Sequence, residues 1–471
     1  MKILNLFSMD AVLGFLTSAL INISRFPNLL KSLHVLPEYS TYKAGEPLKI
    51  LFVGYNGARN TGADVRVEVM TKQFIKVLGK ENINIGITTL DVEHSKNYYH
   101  DPIELISMSS IFFKDILHAC SRYHLAILCE GSCFKSQFAN ALTTFFLAAA
   151  GIMKVQNKFC IAYGSEAGYM DWPLSFFVKT YAKDTYIISR TVPSLKVIKK
   201  FGFDGDVGTD TAWSFIPSPT SKAKEILMAH GWDGKKPLLG LAVINPFCWP
   251  VKPNLFRLFI MLLTGFYKKN HHEKWYFFST SRRRIKSYNR YLDAIKIAAD
   301  TFCDKYDFFP IIIGMEKLDY STNIKLQERM KHKAPIFCSK DYNSYDLTAI
   351  LHQLSLLVTS RYHARVLSMP AGVPSCAISI DERLHNLLEE TGHLNDYYIK
   401  SDDYQIKEKL LPMMEKLYAN REKVKDELLK TIPSYLEKMS YMGELLKEFI
   451  KKKYPGFPVR EKAAEFKDNL P

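Results

Sequence analysis

Residues 48–78 decide the fold class, and they read LKILFVGYNGARNTGADVRVEVMTKQFIKVL. The first seven residues are a short apolar run, which predicts a buried strand that ends at Gly54. A loop rich in Gly and Asn follows, from Tyr55 to Thr61. Residues 63–78 then carry apolar side chains at helical spacing, namely Val67, Met70, Phe74 and Val77. A strand, a glycine loop and a helix in this order open a doubly wound parallel sheet.

The same alternation continues outward along the chain. Further short apolar runs occupy residues 83–90, 125–129, 158–163 and 185–189. They are apolar throughout, as expected of parallel strands that are covered on both faces. After a proline-rich break at 217–219, a second series of predicted strands follows at 237–244, 275–279, 308–313, 356–360 and 375–380. We therefore predict an α/β protein with two Rossmann-like doubly wound domains that face a cleft.

The length supports this division, because 471 residues exceed one ordinary hydrophobic core. We expect an apolar N-terminal helix and connector at 1–47 and a first Rossmann-like domain at 48–220. A second Rossmann-like domain is predicted at 225–400, and a helical C-terminal tail at 401–471. The last long helix of this tail is a candidate to cross back onto the first domain.

Charge and cysteine content narrow the classes of partner. The net charge of +15 implies anionic partners. The basic runs are short and match no nucleic-acid-binding signature, so we expect no nucleic acid. The eight cysteines contain no CxxC pair, which leaves a zinc site unsupported, and we expect no metal. Buried free thiols suit a reducing compartment, and we predict a cytoplasmic protein.

Residues 11–24 are apolar-rich and uncharged but too short for a transmembrane helix. Read as a helix, they place a set of apolar side chains on one side: Val12, Phe15, Leu16, Ala19, Leu20, Ile23 and Phe26. Two interpretations stay open. The helix lies on the inner face of a membrane with help from anionic lipid, or it packs on the protein's own body or a second subunit.

Polar residues concentrate in the loops that follow predicted strands. Arg59 and Asn60 lie in the first loop, and Glu166, Arg190 and Asp210 lie in three later ones. Ligands of doubly wound sheets bind at the carboxyl ends of strands. We therefore predict that these five residues form a substrate-binding wall.

The segment Ser360-Arg361-Tyr362-His363-Ala364 is the sharpest signal in the second half. It follows a predicted strand and opens a helix. An arginine there can clamp an anionic group, and a histidine can act as an acid or base near neutral pH. We predict Arg361 and His363 as catalytic residues, with Ser360 binding substrate.

Together these segments resemble the polysaccharide pyruvyl transferase family. The resemblance rests on the Gly/Asn-rich first loop, Arg190 with Ser194, the Thr-Asp-Thr turn around Asp210, the 360–364 element and the later Gly-Val-Pro. It runs from Leu48 to Gly392. The chain departs from the family pattern where Ala63 separates Gly62 from Asp64, and where Arg383 follows Asp381 in place of a lysine.

The resemblance implies a glycosyltransferase-B-like architecture and the transfer of a pyruvyl group from phosphoenolpyruvate to sugar hydroxyls. Arg361, Arg190 and Arg59 would then bind the carboxylate and phosphate of phosphoenolpyruvate. His363 would protonate its methylene carbon, and Glu166 or Asp210 would orient or deprotonate the acceptor. The chemistry as the family performs it needs no cofactor.

Two other functions remain open at this stage. The first is a glycosyltransferase that uses a nucleotide-sugar donor, because the same cleft and cations suit a diphosphate. The second is a non-catalytic, membrane-associated scaffold that binds glycans, although the presence of both Arg361 and His363 counts against it. The acceptor is equally open, and a cell-wall polymer, an exopolysaccharide repeat unit and a lipid-linked saccharide all fit. The basic surface and apolar N-terminus favour an acceptor held at the membrane.

Overall fold

The computed structural model describes residues 9–99, 102–109 and 111–459. Parts of the predicted N-terminal segment and C-terminal tail, residues 1–8 and 460–471, lie outside this range. Among the described residues, none of the helices has the length and apolar character needed to cross a membrane.

The first domain is built on a seven-stranded parallel sheet in the order β3-β2-β1-β4-β5-β6-β7. Its strands are β1 (Leu48–Val53), β2 (Ile83–Thr89), β3 (Ile103–Ser107), β4 (Leu125–Leu128), β5 (Phe159–Ser165), β6 (Tyr186–Ser189) and β7 (Gly205–Val207). The strand order reverses between β1 and β4. This is the Rossmann order, and ligands bind such sheets at the point of reversal.

The second domain repeats the plan with a six-stranded parallel sheet in the order β13-β12-β8-β14-β15-β16. Its strands are β8 (Leu238–Ala242), β12 (Phe309–Gly314), β13 (Ile336–Cys338), β14 (Leu356–Thr359), β15 (Ser375–Ser379) and β16 (Tyr398–Lys400). Its point of reversal lies between β8 and β14. The prediction of two Rossmann-like domains is confirmed.

A small antiparallel sheet is inserted between β8 and β12. It consists of β9 (Lys252–Pro253), β10 (His271–Glu273) and β11 (Tyr276–Phe277), in the order β10-β11-β9. The prediction that residues 275–279 continue the second parallel sheet is therefore wrong. Within this run, β11 pairs antiparallel with β9 and β10 instead. Helix α10 (Leu255–Thr264) lies between β9 and β10 and reverses the direction of the chain.

Helices cover both faces of each sheet. In the first half they are α1 (Met9–Ile23), α2 (Pro27–Ser32), α3 (Thr61–Leu78), α4 (Val92–Ser95), α5 (Phe113–Arg122), α6 (Asn140–Val155), α7 (Trp172–Tyr181) and α8 (Val192–Lys200). In the second half they are α9 (Thr220–Ala229), α10 (Leu255–Thr264), α11 (Arg282–Tyr306), α12 (Tyr320–Arg329), α13 (Ser344–Leu351), α14 (Tyr362–Ser368), α15 (Glu382–Glu390), α16 (Ile406–Ala419) and α17 (Arg421–Lys453).

The final helix joins the two domains. The first part of α17 packs into the core of the second domain through Val424 and Leu428, and its later part packs on the first sheet through Met442 and Leu446. The side-chain amide of Gln73 on α3 donates to the carbonyl of Met439 at 2.7 Å. The helix therefore crosses back onto the first domain and helps to hold the two halves at a fixed separation.

Candidate active site

A cavity of about 250 Å³ lies between the two domains. It opens at the points where both strand orders reverse. Tyr55 and Glu130, which follow β1 and β4, line it from the first domain. Glu316 and His363, which follow β12 and β14, line it from the second. The topology of both sheets thus brings their loops to one site.

Backbone pairing between the domains fixes the width of this cleft. The amide of Thr61 donates to the carbonyl of Met315 at 2.9 Å, and the amide of Lys317 donates to the carbonyl of Arg59 at 3.1 Å. Asn60 caps α3, with its side-chain oxygen accepting from the amide of Ala63 at 3.2 Å. The glycine loop after β1 therefore sets both the start of α3 and the contact with the second domain.

A buried carboxylate, Asp210, organises three cationic or titratable side chains. Its Oδ2 accepts from Nη1 of Arg190 at 2.9 Å and lies 3.3 Å from Nε2 of His363. Its Oδ1 lies 3.4 Å from Nε of Arg66. Burial alone would raise the pKa of Asp210, but Arg66, His363 and Arg190 together hold it well below its usual range. Asp210 therefore stays ionised and binds these groups electrostatically.

Several donors in this cluster have no hydrogen-bond acceptor. Nη1 of Arg66 and Nε of Arg190 are buried atoms of this kind. Nε of Arg66, Nη2 of Arg190 and Nε2 of His363 also make no hydrogen bond, but each lies 3.3–3.4 Å from a carboxylate oxygen of Asp210 or Glu166. Buried donors are normally satisfied, and an unpaired one costs about 1–3 kcal/mol. Arg190 and His363 also line the cavity, with Arg66 directly behind them. The cluster is thus suited to receive an anionic group from the cavity.

Glycine is required where the loops approach these side chains. A Cβ atom on Gly131 would lie 1.9 Å from Nη2 of Arg190, and one on Gly62 would lie 2.0 Å from Nδ1 of His363. The loop after β4 and the first turn of α3 can therefore pack directly on the arginine and the imidazole. No larger residue fits at either position without displacing them.

His363 is uncharged near neutral pH in the unliganded cleft. Burial lowers its pKa to about 4, although Asp210 acts in the opposite direction. Arg190 and Arg66 reinforce the lowering. An anion that enters beside His363 would add to the effect of Asp210 and restore its affinity for a proton.

Arg361 is held by two carboxylates of its own domain. Its Nε donates to Oδ2 of Asp319 at 2.9 Å and its Nη2 donates to Oε2 of Glu316 at 2.8 Å, with a second contact from Nη2 to Asp319. Burial raises the pKa of Asp319 although Arg361 lowers it. Arg361 still lines the cavity, but its guanidinium is largely occupied by this ion-pair cluster.

The structure brings four of the eight predicted site residues to the cavity wall: Asn60, Arg190, Arg361 and His363. Glu166 and Asp210 lie behind Arg190, and Oε2 of Glu166 is 3.3 Å from Nη2 of that arginine. Ser360 is buried, with its Oγ 2.6 Å from the hydroxyl of Tyr291. Arg59 points away from the cavity and donates to the carbonyl of Lys340 at 2.7 Å, so it joins the domains.

Sequence patterns did not single out Arg66, Glu316 or Asp319. Arg66 lies inside α3 between two buried valines, and Asp64 and Glu68 flank it at the same spacing, so no local pattern sets it apart. Glu130 lies in the loop after β4. Its carboxylate accepts from the amide of Tyr55 at 3.1 Å, and burial raises its pKa. It is therefore an additional titratable group on the cavity wall.

A second group of residues that line the cavity is apolar, and we call this group the apolar arm. It consists of Leu90, Met108, Phe112, Phe138, Leu142, Phe145, Trp249 and Val251. The ring of Phe138 contacts the ring of Trp249 edge to face, with centroids 5.3 Å apart. One site therefore combines an anion-binding end with an apolar arm.

These features define a class of protein: a glycosyltransferase-B-like pair of Rossmann domains with an anion-adapted cleft. The family model for polysaccharide pyruvyl transferase matches residues 60–382, which is more than half of the chain. The chain belongs to the polysaccharide pyruvyl transferase family, as its sequence motifs predict. The matched region contains the cavity residues described above, from Asn60 to the helix that starts at Glu382.

Solved structures agree on the architecture. The UDP-GlcNAc 2-epimerase of Neisseria meningitidis bound to UDP-GlcNAc has a TM-score of 0.52 at 11% identity, covering 86% of this chain and 100% of its own. The MnaA protein of S. aureus with UDP has the same TM-score and identity, covering 89% and 100%. Similarity at this identity shows the fold alone. No curated protein matches the chain in sequence.

Proposed function

We propose that the protein transfers a pyruvyl group from phosphoenolpyruvate to sugar hydroxyls of a polysaccharide or a lipid-linked glycan. The observation that carries this proposal is the pair of buried guanidinium nitrogens, on Arg190 and on Arg66 behind it, that make no hydrogen bond beside His363 of the cavity wall. Phosphoenolpyruvate carries a carboxylate and a phosphate, and charge-assisted bonds from guanidinium groups suit both. Membership of the family supports the same donor.

The proposed reaction proceeds through protonation of the donor. His363 delivers a proton to the methylene carbon, which leaves positive charge at the adjacent carbon. A sugar hydroxyl attacks that carbon and releases its own proton. Phosphate leaves with its bonding electrons, and a second hydroxyl attacks the same carbon and gives its proton to the released phosphate, which closes the ring as a cyclic ketal. Binding the donor's negative charge beside His363 raises its pKa from about 4, so the imidazole gains a proton only when the donor is present.

Asp210 has a supporting role in this scheme. Its depressed pKa makes it a poor base, so we assign it to holding Arg190 and to stabilising the imidazolium of His363. Glu166 orients Arg190 from behind. Glu130 lines the cavity, and its raised pKa makes it the better candidate to exchange a proton with the acceptor hydroxyl.

The apolar arm of the cavity supports an acceptor with an apolar part. Arms lined by Phe112, Phe145 and Trp249 can hold the first carbons of a lipid carrier while the sugar reaches Arg190. On this basis we propose a protein of cell-envelope biosynthesis that works at the cytoplasmic face of the membrane. An acceptor made only of sugar would leave the arm without a role.

The test compares Arg190→Met with a matched control, Arg290→Met, which removes an exposed arginine whose side chain donates to the carbonyl of Asp402. The melting temperature is measured with phosphoenolpyruvate, inorganic phosphate, UDP and GDP. A ligand present at about 100 times its Kd stabilises by about 2.7 kcal/mol. We expect phosphoenolpyruvate to stabilise the wild type and Arg290→Met, and to leave Arg190→Met unchanged.

A different pattern of stabilising ligands would change the proposed function. Stabilisation by UDP or GDP with no response to phosphoenolpyruvate would favour a nucleotide-sugar glycosyltransferase on the same fold. Phosphate release from phosphoenolpyruvate in the presence of an isolated glycan acceptor, with ketal formation seen by mass spectrometry, would establish the transfer itself. His363→Gln should abolish that release while keeping the response of the melting temperature to phosphoenolpyruvate.

A further inference from the structure

The outer face of α10 is apolar although it faces solvent. Six large apolar side chains are between 50% and 73% exposed here, five on the helix and Phe266 two residues beyond its end; the five are Leu255, Phe256, Phe259, Leu262 and Leu263. Their spacing along the chain is that of a single helix face. We call this set the α10 face. A contiguous exposed apolar surface of this kind marks an interaction site in a soluble fold.

The helix itself is well specified by the sequence. The side chain of Asn254 caps it by accepting from the amide of Arg257 at 2.8 Å, and Gly265 ends it in the left-handed conformation with φ of 70°. None of its residues is fully buried. Helix α10 is therefore a surface helix and not part of the hydrophobic core, because its inner side is only half-buried and its apolar side faces outward.

The surroundings of α10 are strongly basic. Residues 251–286 contain one acidic residue, Glu273, and many basic ones: Lys252, Arg257, Lys268, Lys269, Lys274, Arg282, Arg283, Arg284 and Lys286. Lys268 and Lys269 follow the helix directly and are exposed. Arg257 stacks on the ring of Tyr267 at 5.2 Å. An apolar face bordered by lysine and arginine has the chemistry that inserts into anionic lipid.

We propose that the α10 face docks the protein on an anionic lipid bilayer, with its phenylalanine and leucine side chains inserted among the acyl chains. The charge excess identifies this occupant, because a second copy of the chain would bring an equally basic surface against this one. The docked helix lies beside the cleft: Val251, just before α10, and His272 and Tyr276, just after it, all line the cavity. Docking therefore places the cavity at the membrane surface.

The N-terminal helix α1 offers a competing surface. Its Gly14, Thr17 and Ile21 are buried, whereas Val12, Phe15 and Leu16 are exposed. The apolar side predicted from the sequence is thus turned partly outward. The test has to separate the two helices, and the exposure of Phe15 on α1 and Phe259 on α10 allows this without disturbing a core.

The experiment measures binding of the full-length protein to vesicles of phosphatidylcholine, alone or with about 30% phosphatidylglycerol. The variants are Phe259→Glu with Leu262→Glu together, Phe15→Glu, and Tyr404→Glu as a control on an exposed aromatic residue elsewhere. We expect wild type and Tyr404→Glu to bind anionic vesicles equally. The α10 double variant should partition about tenfold more weakly or worse. Exchanging Lys268 and Lys269 for Gln should weaken binding about fivefold per charge.

Two results would overturn the proposal. One is vesicle binding by the α10 double variant at the wild-type level, including the case in which only Phe15→Glu reduces it. The other is a wild type that does not bind vesicles but is a dimer by light scattering, together with an α10 double variant that is a monomer. The measurement uses neither phosphoenolpyruvate nor an acceptor, so the docking surface is tested independently of the proposed reaction.

Discussion

Replacing Asp210 by Asn tests the electrostatic argument for the site most directly. The carboxylate lies within ion-pair distance of Arg190 and Arg66, at 2.9 and 3.4 Å, and its side chain is fully buried. Asn preserves the shape and can still accept from the amide of Ala212, as Asp210 does at 2.9 Å. It removes the charge, so Arg190 keeps its contact with Glu166 at 3.3 Å, whereas Arg66 loses its ion pair with Asp210. Breaking a buried ion pair on one side costs about 3–5 kcal/mol.

The assay is chemical denaturation followed by tryptophan fluorescence, with Asp307→Asn as the matched control. Asp307 pairs with Lys236 at 2.6 Å, but its side chain is 78% exposed. An exposed pair contributes about 0–1 kcal/mol, so the control should unfold almost as the wild type does. We expect Asp210→Asn to lower the free energy of unfolding by about 3–5 kcal/mol. A loss as small as that of the control would refute the claim that Asp210 organises the cluster.

Three further predictions follow from the same contacts. His363→Gln should remove one contribution to the pH dependence of the free energy of unfolding. The pKa of His363 is about 4 in the folded state and 6.5 in the unfolded state, so its contribution is fully present above pH 6.5 and is lost as the pH falls toward 4. Between pH 4 and pH 6.5, the free energy of unfolding of the wild type should rise by about 3 kcal/mol relative to that of the variant, measured by denaturation at each pH. Arg361→Ala should cost about 3–5 kcal/mol by leaving Asp319 buried and unpaired. Because the pKa of Asp319 rises further in this variant, the variant should lose more stability at pH 8 than at pH 5. Equal losses at the two pH values would contradict this. Gly131→Ala should displace Arg190, cost about 1–3 kcal/mol and weaken the response of the melting temperature to phosphoenolpyruvate. An unchanged response would show that Arg190 does not bind the donor.

Local sequence patterns predicted the central strands and the loops that follow them. Strands β4, β8 and β14 are buried along their whole length and β1 is buried except at Lys49, so they appear as nearly uninterrupted apolar runs. The edge strands β3, β7, β13 and β16 were not predicted, because they are short and partly exposed. A segment of three to five residues with both polar and apolar side chains has the same sequence pattern as a loop. It becomes a strand only by pairing with a neighbouring strand.

The candidate site was predictable only where residues follow a strand. Arg190 and His363 do so, and the structure brings them together across the cleft. Arg59 also follows a strand, but its positive φ of 53° and its contacts with the second domain turn it away from the cavity. Arg66 reaches the site from the middle of a helix. Its position depends on the packing of α3 against the carboxyl end of β5, where it donates to the carbonyl of Gly164 at 2.7 Å. Such long-range contacts leave no local pattern.

The charges in the cleft are balanced before any donor enters. Arg361 is neutralised by Glu316 and Asp319, and Arg190 is bracketed by Glu166 and Asp210. A multiply charged donor therefore cannot rely on a pool of free cations. It must use the guanidinium donors that the carboxylates leave unpaired, and it must supply the negative charge that lets His363 take up a proton. In the proposed mechanism the imidazolium of His363 forms only in the donor complex, because its pKa of about 4 otherwise leaves the ring neutral near neutral pH.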